Sequence, residues 1–409
     1  MNILFICESD WFQSVVYDIH ILAEGLSLLG HQVYAIDHEW ARSGRLRFKT
    51  AEIKNAARVF PRARVHLVRP GFINFRGLGL LSTAFTHYLE IRKTIRNKNI
   101  DAIMLYSALT NGLQSVYLAK KFNIPIVFRN IDILHNLMPT PRLRTATRFL
   151  EKKVYSRVDA VLALTPKYAE YVKMMGANES KVKLLLFPID TELFRPGVDY
   201  SEVRQKWGFS EKDQVIVFVG TLFEFSGLGD FIREFPQVIR EIPEAKLLIV
   251  GDGPLRPGLE RIIAELGLEG RIITTGFQPF QTLPQYINLA AICINPFPVT
   301  DTTRDLFSAK IIQYLACGRA IICTSLPGIT TLLPAESCGV VYADGIADMA
   351  REVVSLLRSA ERREQLGQAG LDYVRRAHSY DKIIRQLEAI LEEVIKEKQS
   401  LASPKQAQR

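Results

Sequence analysis

The chain has 409 residues, of which 48% are apolar and 23% charged, and its 52 basic and 43 acidic side chains give a net charge of +9. This length favours about two domains, and the composition excludes a disordered, collagen-like or coiled-coil protein. The longest uncharged apolar run, residues 77–89, is shorter than the roughly 18 residues that a membrane-spanning helix needs.

The N-terminal sequence MNILFIC predicts a first β-strand rather than a secretory signal, because no basic segment precedes an apolar one and no small-residue cleavage site follows. We therefore expect a cytoplasmic protein. The five cysteines form no C-x-x-C pair and the histidines lack metal-ligand spacing, which favours buried free thiols and no bound metal.

Short β-branched and aromatic runs alternate with amphipathic stretches along the chain, a pattern typical of βαβ units around a parallel sheet. The first half contains predicted strands at 3–7, 32–36, 65–68, 102–106, 125–129, 160–164 and 183–187. The second half contains predicted strands at 215–219, 246–250, 271–274, 292–295, 320–323 and 339–342. A loop with two prolines and a glycine, residues 188–197, separates the two series.

The predicted fold class is therefore α/β, with two Rossmann-like domains at residues 1–190 and 191–377. A C-terminal helix is expected at about 378–400, followed by a flexible polar tail at 400–409. In open parallel sheets, ligands bind in the crevice at the carboxyl ends of the strands. We therefore expect the functional residues in the loops that follow strands.

The positive charge is concentrated in the first half. Residues 41–100 carry 14 basic side chains against two acidic ones, and residues 139–157 carry six against Glu151. This pattern favours an anionic membrane surface as a partner over an ordinary solvated face, with nucleic acid the least favoured partner. Apolar residues lie beside basic ones at 72–81, which suits partial insertion into a lipid interface.

No dinucleotide-binding fingerprint or Walker A motif occurs in the chain. The segment from Gly251 to Pro254 follows a strand, but its spacing fits a plain tight turn as well as a phosphate cradle. The more informative stretch is 301–318, DTTRDLFSAKIIQYLACG.

The latter half of that stretch predicts a helix with Ser308 in its first turn, where exposed N–H groups bind an anion such as a diphosphate. Lys310 and Gln313 are three residues apart and share one helix face, and Arg304 adds a second cation. The spacing alone leaves an ordinary surface helix equally open.

Several blocks of the second half resemble, in order and spacing, the retaining glycosyltransferases of family four, which have the GT-B fold. These blocks are FPIDTELFRP (187–196), FVGTLFEFSGL (218–228), LLIVGDGP (247–254), ITTGF (273–277) and DLFSAKIIQYLACGRAI (305–321). The first half resembles the family more loosely, through residues 30–33 and 158–161. The resemblance implies that a C-terminal helix returns to the first domain.

The resemblance also implies a function: transfer of a sugar from a nucleotide diphosphate donor, held mainly by the second domain, to an acceptor on the first. The family retains the anomeric configuration and needs no metal or other cofactor. Gly220, Thr221 and Gly251 match its donor-binding positions. Gly276 and Phe277 are expected at the nucleotide base.

The chain departs from the family at its charged positions. Two family glutamates eight positions apart correspond to Asp305, expected to orient the donor sugar, and Gln313, expected to hold the ribose. The usual phosphate-binding Arg and Lys correspond to Thr221 and Ser226. We hypothesise that Lys310, Arg304 and the helix N-terminus replace them, because a leaving diphosphate needs positive charge where its own charge develops.

In the first domain, the family often has a histidine where this chain has Ile131. Asp132 matches an acidic residue that often follows, and His135, one turn later, is either a catalytic or a structural residue. Trp11 and Phe12 replace the family's glycine-rich loop, and either line an acceptor site or pack in the core.

The expected function is thus a retaining glycosyltransferase, peripheral on the inner membrane face, that acts on a glycan, lipid-linked or polysaccharide-precursor acceptor. The missing phosphate cations keep a non-catalytic nucleotide-sugar-binding scaffold as the main alternative. A nucleotide-sugar epimerase is a less favoured one.

Overall fold

The computed structural model describes residues 1–12, 15–38, 46–47, 49–73, 79–138 and 140–402. The chain divides into two compact units. The first unit comprises Met1–Pro188 and Tyr380–Arg409, and the second comprises Ile189–Ser379. These divisions lie within two residues of the predicted domain boundaries.

The first unit is built on an eight-stranded sheet with the order β10-β9-β8-β7-β1-β2-β5-β4, in which only the β4–β5 pair is antiparallel. β3 and β6 form a separate antiparallel pair. The strands are β1 (Asn2–Ile6), β2 (Gln32–Ile36), β3 (Leu46–Arg47), β4 (Ala51–Ile53), β5 (Val65–Arg69), β6 (Phe72–Ile73), β7 (Ala102–Leu105), β8 (Ile126–Asn130), β9 (Ala160–Ala163) and β10 (Val182–Leu184).

The helices of this unit cover the sheet. They are α1 (Asp18–Leu28), α2 (Gly79–Lys98), α3 (Gly112–Phe122), α4 (Pro141–Tyr155) and α5 (Pro166–Met174), with 3₁₀ turns at Leu134–Leu137 and Glu179–Lys181. α4 and α5 both begin with a Thr-Pro pair. The hydroxyls of Thr140 and Thr165 accept hydrogen bonds from first-turn N–H groups, and the proline at the first position has no N–H to satisfy.

The second unit contains an all-parallel sheet with the order β13-β12-β11-β14-β15-β16. Its strands are β11 (Gln214–Val219), β12 (Ala245–Val250), β13 (Ile272–Thr274), β14 (Ile292–Asn295), β15 (Ile321–Thr324) and β16 (Val340–Ala343). Its helices are α6 (Ser201–Lys206), α7 (Leu228–Glu241), α8 (Arg256–Glu265), α9 (Leu283–Leu289), α10 (Ala309–Ala316), α11 (Pro327–Thr330), α12 (Ile346–Arg358) and α13 (Ala360–Ala377), with 3₁₀ turns at Glu224–Ser226, Phe280–Thr282 and Ala335–Cys338.

Both sheets reverse their strand order at one point, and that point is where doubly wound folds bind ligands. The reversal lies between β1 and β7 in the first unit and between β11 and β14 in the second. The strands beside it are buried on both faces and read as continuous apolar runs. The loops that follow the strands beside these two reversals are therefore where a ligand is expected to bind.

The last helix, α14 (Tyr380–Ala402), belongs to the first unit. Its apolar face joins the core cluster around β1 and α1 through buried residues that include Ile384, Leu387 and Leu391. A hydrogen bond between His31 and Glu388 and an ion pair between Lys398 and Asp159 join it to the rest of that unit. Residues 400–402 of the predicted tail are helical, and 403–409 lie outside the described residues.

The predicted α/β class and both Rossmann-like sheets are confirmed, and each of the thirteen predicted strands overlaps an observed one. The prediction missed β3, β4 and β6, because strands of two or three residues carry too short a pattern to recognise. Among the described residues, no helix is long and apolar enough to span a bilayer.

We expect Leu387→Ala in α14 to lower the free energy of unfolding of the first unit by about 2–5 kcal/mol, because it leaves a cavity in a fully buried position. Urea unfolding, together with hydrogen exchange of the β1 amides, measures the effect. Arg385→Ala, on the exposed face of the same helix, serves as the control and should stay within about 0.5 kcal/mol of the parent. Unchanged β1 protection in Leu387→Ala would contradict the assignment of α14 to this core.

Candidate functional site

The crevice of the second unit opens between β11 and β14. These strands pair only at Ile216–Ile292 and Val217–Cys293, so β11 continues for two residues without β14 beside it. Glycines follow the neighbouring strands, and Gly251 approaches Gly220 so closely that a β-carbon on Gly251 would lie 1.9 Å from the Gly220 carbonyl oxygen. Only glycine therefore fits at position 251, where the two turns approach each other.

Tyr314 holds α10 against this opening. Its side chain is fully buried, and its hydroxyl accepts a 2.6 Å hydrogen bond from the N–H of Val219, at the end of β11. That N–H has no partner on β14, because the two strands have already separated. The bond satisfies an amide that would otherwise be buried unpaired, and it fixes the helix that carries Lys310 one turn before Tyr314.

The Lys310 ammonium lies between two aromatic rings, on either side of the point where the strand order reverses. Its Nζ is 4.1 Å from the ring centroid of Phe218 in β11 and 4.5 Å from that of Phe297 in the loop after β14. A β-carbon on Gly220 would lie 2.9 Å from the same Nζ. Cation–π attraction holds the ammonium in contact with the turn that begins at Gly220.

Among the described residues, no carboxylate lies within ion-pair distance of Lys310. Burial lowers its pKa from 10.5 to about 7, because a charged ammonium loses hydration there without gaining a counterion. The site therefore lacks a negative charge that an anionic ligand would supply.

The start of α10 presents further groups to the crevice. Ser308 is the residue before the helix, and its hydroxyl does not cap the first-turn N–H groups. Gln313 is 8% exposed, and its amide makes no hydrogen bond with a described residue. Together with Lys310, these groups form an N-terminal helix site of the kind that binds phosphate.

The predicted partners Asp305 and Arg304 lie in the loop before α10. Asp305 is half-buried, and its Oδ1 is buried with no hydrogen-bond partner in the described part of the chain. Its backbone packs against Gly328, where a β-carbon would lie 2.3 Å from the Asp305 carbonyl oxygen. Arg304 is exposed, and among the described residues Asp305 forms no ion pair with Lys310.

Other unpaired polar groups surround the same opening, and sequence reasoning missed Asn295 and Thr324 among them. Both amide atoms of Asn295, at the end of β14, and the hydroxyl of Thr324, at the end of β15, are buried without partners among the described residues, as is the hydroxyl of Ser226. A polar residue that ends an otherwise apolar strand is the signal that could have identified Asn295 and Thr324.

At the edge of the crevice, Thr221 is half-buried in the turn after β11. Gly276 follows β13 and receives the backbone N–H of Gly251 on its carbonyl oxygen. The ring of Phe277, next in the chain, is 64% exposed, which leaves it available to stack on a flat ligand. The structure thus brings the predicted glycines, Lys310, Ser308 and Gln313 together at the carboxyl end of one sheet.

The corresponding point of the first unit is filled by the chain's own carboxylate. Glu8, after β1, accepts hydrogen bonds from the hydroxyls of Ser107 and Thr110 and, at 2.6 Å, from the N–H of Thr110. This carboxylate occupies the space before α3 that an anion would take in a nucleotide-binding domain. The first unit is therefore the less suitable of the two for a diphosphate.

His135 lies in the 3₁₀ turn after β8 and is held by Glu151 of α4. Its Nδ1 is 2.8 Å from Oε2 of Glu151 and 3.2 Å from the hydroxyl of Tyr171. Oε1 of the same fully buried carboxylate accepts hydrogen bonds from the Leu134 N–H and the Tyr155 hydroxyl. Because a carboxylate only accepts, the proton of neutral His135 lies on Nδ1, and Nε2 keeps its lone pair.

Asp132 also follows β8, and burial raises the pKa of its carboxyl to about 7, with a smaller contribution from the nearby Asp18. Asp18 itself is buried and accepts a 2.8 Å hydrogen bond from Nε of Arg129. The carboxyl of Asp132 makes no hydrogen bond with a described residue, so it can exchange a proton near neutral pH.

Trp11 and Phe12 have different roles in the structure. Trp11 is fully buried in the core cluster, and its indole N–H donates to the Ala56 carbonyl at 2.9 Å. It therefore has no exposed ring surface for an acceptor, and the packing alternative applies to it. Phe12 is 41% exposed, with the Arg69 guanidinium carbon 5.1 Å from its ring centroid, so Phe12 remains an acceptor-side candidate.

Within the described ranges, no group of three or more His, Cys, Asp or Glu side chains is arranged to hold a metal ion. Cys7, Cys293, Cys317, Cys323 and Cys338 are all buried free thiols.

The chain matches two protein-family models. Residues 16–193 match the model described as Glycosyltransferase Family 4, and residues 213–359 match the model described as Glycosyl transferases group 1. Among curated proteins, N-acetyl-alpha-D-glucosaminyl L-malate synthase of Bacillus anthracis is 22% identical over 319 residues, which cover 75% of this chain and 78% of that protein. The matches to several other curated relatives span little more than half of their length, 57% and 55% for two of them.

Two solved structures share the fold over nearly the whole chain. Sucrose-phosphate synthase from Thermosynechococcus elongatus aligns with a TM-score of 0.78 at 16% identity and covers 96% of this chain and 98% of its own. The Anabaena protein HepE, solved in complex with UDP-glucose, aligns with a TM-score of 0.73 at 16% identity and covers 96% of this chain and 100% of its own.

We expect Lys310 to titrate with a midpoint near pH 7 in the folded protein, measured by NMR of 13Cε-labelled lysines and assigned with Lys310→Met. Between pH 7 and 10.5 the unfolded chain keeps a proton that the folded chain releases. The contribution of Lys310 to the free energy of unfolding therefore rises with pH over this interval, and Lys310→Met lacks that rise. A midpoint near 10 would contradict the described environment.

Proposed function

Because the chain belongs to the group 1 glycosyltransferases of family 4 and has the GT-B fold, we propose that it transfers a sugar, with retention of configuration, from a nucleotide diphosphate donor bound in the crevice of the second unit. The proposed acceptor is a glycan, a lipid-linked glycan or a polysaccharide precursor. The reaction needs no metal in this proposal, because protein cations and N–H groups balance the diphosphate.

The observation that carries this proposal is the Lys310 ammonium, held between Phe218 and Phe297 without a carboxylate partner among the described residues. The family positions that usually carry phosphate-binding cations are Thr221 and Ser226 here, and Lys310 lies directly beneath the turn that begins with Gly220. A diphosphate at the start of α10 would meet the ammonium and the first-turn N–H groups together. Both contacts strengthen as charge develops on the leaving group.

The other donor-side residues follow from the same placement. Gln313 lies one turn after Lys310 and offers its unpaired amide to the ribose, and Phe277 offers an exposed ring to the base. Asp305 orients the sugar with a carboxylate oxygen that has no other described partner. Arg304, on the exposed loop, supplies a second cation when the loop meets the donor.

On the first unit, we assign the acceptor to the loops that follow β1 and β8. Nε2 of His135 and the carboxyl of Asp132 are the groups that can accept a proton there, and Phe12 supplies an exposed ring. In the proposed retaining reaction the leaving diphosphate takes the proton of the acceptor hydroxyl. His135 and Asp132 therefore act by accepting hydrogen bonds that bind and orient the acceptor.

We expect Lys310→Ala to lower turnover by about 10²–10³-fold, because it removes one charge-stabilising group from the transition state. The measurement is release of nucleoside diphosphate from a panel of UDP, GDP and ADP sugars, with product analysis. Lys212→Ala is the matched control, since Lys212 is an exposed lysine of the same unit with no ion pair among the described residues.

An unchanged rate in Lys310→Ala would overturn the role of this residue. A donor that raises the melting temperature but stays intact with every acceptor would instead favour the scaffold alternative. A donor whose sugar is altered without transfer would favour the epimerase.

The first unit also carries features that support association with an anionic membrane. On α4, Leu143 is 38% and Phe149 is 58% exposed, and the helix also exposes Arg142, Arg144, Arg148 and Lys152. Its one acidic residue, Glu151, is buried against His135. A helix that exposes aromatic and basic residues without acidic ones matches an interfacial membrane helix.

The neighbouring helices extend this surface. α3 packs beside α4 and α2 packs beside α3. Tyr117 on α3 is 55% exposed and Phe85 on α2 is 65% exposed. Parts of the predicted basic region, at 41–45, 48 and 74–78, lie outside the described residues. We propose that the described surface of α2, α3 and α4 binds anionic lipid head groups.

We expect a variant with Arg142, Arg144, Arg148 and Lys152 changed to Gln to bind phosphatidylglycerol-containing vesicles on the order of a thousandfold more weakly, at about 1 kcal/mol per charge. Vesicle sedimentation at low and high salt measures the effect. The matched control changes four exposed basic residues of the second unit to Gln: Lys212, Arg240, Arg261 and Arg375. Equal loss in both variants would indicate a net-charge effect, and absence of binding at low salt would remove the proposal.

A further inference from the structure

A second cavity lies at the end of the second unit's sheet opposite the crevice that contains Lys310. Its volume is about 370 Å³, within the range of small-molecule sites. Ala291 and Ala320, which line it, directly precede β14 and β15, so it lies at the amino ends of the strands whose carboxyl ends form the donor crevice. It is therefore separate from the site around Lys310.

The cavity has a rigid frame. One face of α13 forms a wall, and Gly367 on that face packs against the turn after α10, where a β-carbon would lie 2.2 Å from the Gly318 carbonyl oxygen. α10 itself runs between the two sites, with Lys310 near its first residue and Gly318 just after its end. Ligand-binding side chains on these elements are held in fixed positions.

Two arginines line this cavity without a carboxylate partner in the described ranges. Arg319 donates to the Ala290 carbonyl at 3.1 Å and to Oδ1 of Asn288 at 3.3 Å, and its Nε is buried without a partner among the described residues. Arg363 donates from one nitrogen to the carbonyls of Leu356 and Leu357. These acceptors are neutral, so they position both guanidinium groups but leave both charges uncompensated.

The remaining polar lining distinguishes between ligands. Glu364 and Gln368 lie one helical turn apart on the α13 wall and both face the cavity. Glu364 forms no ion pair in the described part of the chain. Its carboxylate repels a bare phosphate dianion but accepts hydrogen bonds from hydroxyl groups. The Gln368 amide nitrogen donates to Oδ1 of Asp372 at 3.0 Å, and its carbonyl oxygen and second N–H remain for a ligand.

We propose that this cavity binds a small phosphate ester of a polyol, with the phosphate between Arg319 and Arg363 and the hydroxyl groups at Glu364 and Gln368. Guanidinium groups match the geometry of a phosphate through paired N–H donors. The site is independent of the proposed donor site, and it does not depend on the identity of the transferred sugar.

The experiment is calorimetric titration of the full-length protein with glycerol 3-phosphate, inorganic phosphate and glycerol. We expect saturable binding of glycerol 3-phosphate, weaker binding of inorganic phosphate and no binding of glycerol. Arg363→Met should weaken glycerol 3-phosphate binding about tenfold or more. Lys310→Ala should leave it unchanged, because Lys310 lies at the other edge of the sheet.

Arg319 and Arg363 also bond to helix-end carbonyls, so their variants could lose stability. Gln368→Trp therefore provides a second test, since it fills the cavity from an exposed position and keeps both arginines. It should abolish binding with an unchanged circular dichroism spectrum. The proposal is overturned if binding is lost in Lys310→Ala but kept in Gln368→Trp, or if glycerol 3-phosphate does not bind at about 10 mM.

Discussion

The hydrogen bond from the Val219 N–H to the Tyr314 hydroxyl holds α10 against the crevice of the second unit. β11 and β14 have to separate for a crevice to exist, and separation leaves the Val219 N–H without a partner on β14. Tyr314 supplies the missing acceptor and thereby ties α10 to the opening. This contact, together with the rings of Phe218 and Phe297, positions Lys310 beside the opening.

This arrangement stores unfavourable energy at the site. An ammonium packed between two rings with no counterion among the described residues is less stable than one in water. Polar atoms of Asn295, Thr324 and Asp305 add to the cost, because they are buried and have no partner in the same part of the chain. A protein stabilised only for folding would replace such groups with apolar ones. The presence of these polar groups together at the carboxyl end of the sheet distinguishes a binding site from a core.

The two units show how one topology can be adapted for different tasks. In both sheets the order of the strands reverses beside the first strand, and a helix begins near each reversal. In the first unit, Glu8 takes the place before α3, whereas in the second unit Lys310 provides positive charge near the start of α10. The difference in sign at equivalent places makes the second unit the better suited of the two to an anionic ligand.

The sequence predicted the sheets well, because strands buried on both faces carry long apolar runs between turn residues. It also predicted that Lys310 and Gln313 share a helix face. It could not predict the environment of Lys310, since Phe218 and Phe297 come from segments that only the folded sheet brings together. The same holds for His135 and Glu151, which are 16 residues apart, and for Trp11, whose burial depends on the distant Ala56 carbonyl.

The return of α14 to the first unit affects how the chain folds as it is made. The core around β1 includes Ile384 and Leu387, so the first unit lacks part of its apolar interior until the last helix has left the ribosome. All residues of the second unit, Ile189–Ser379, emerge before that helix does. Domains generally fold as they emerge. In this chain the second unit is complete first, although its translation begins later. The first unit can bury its whole core only after α14 has emerged.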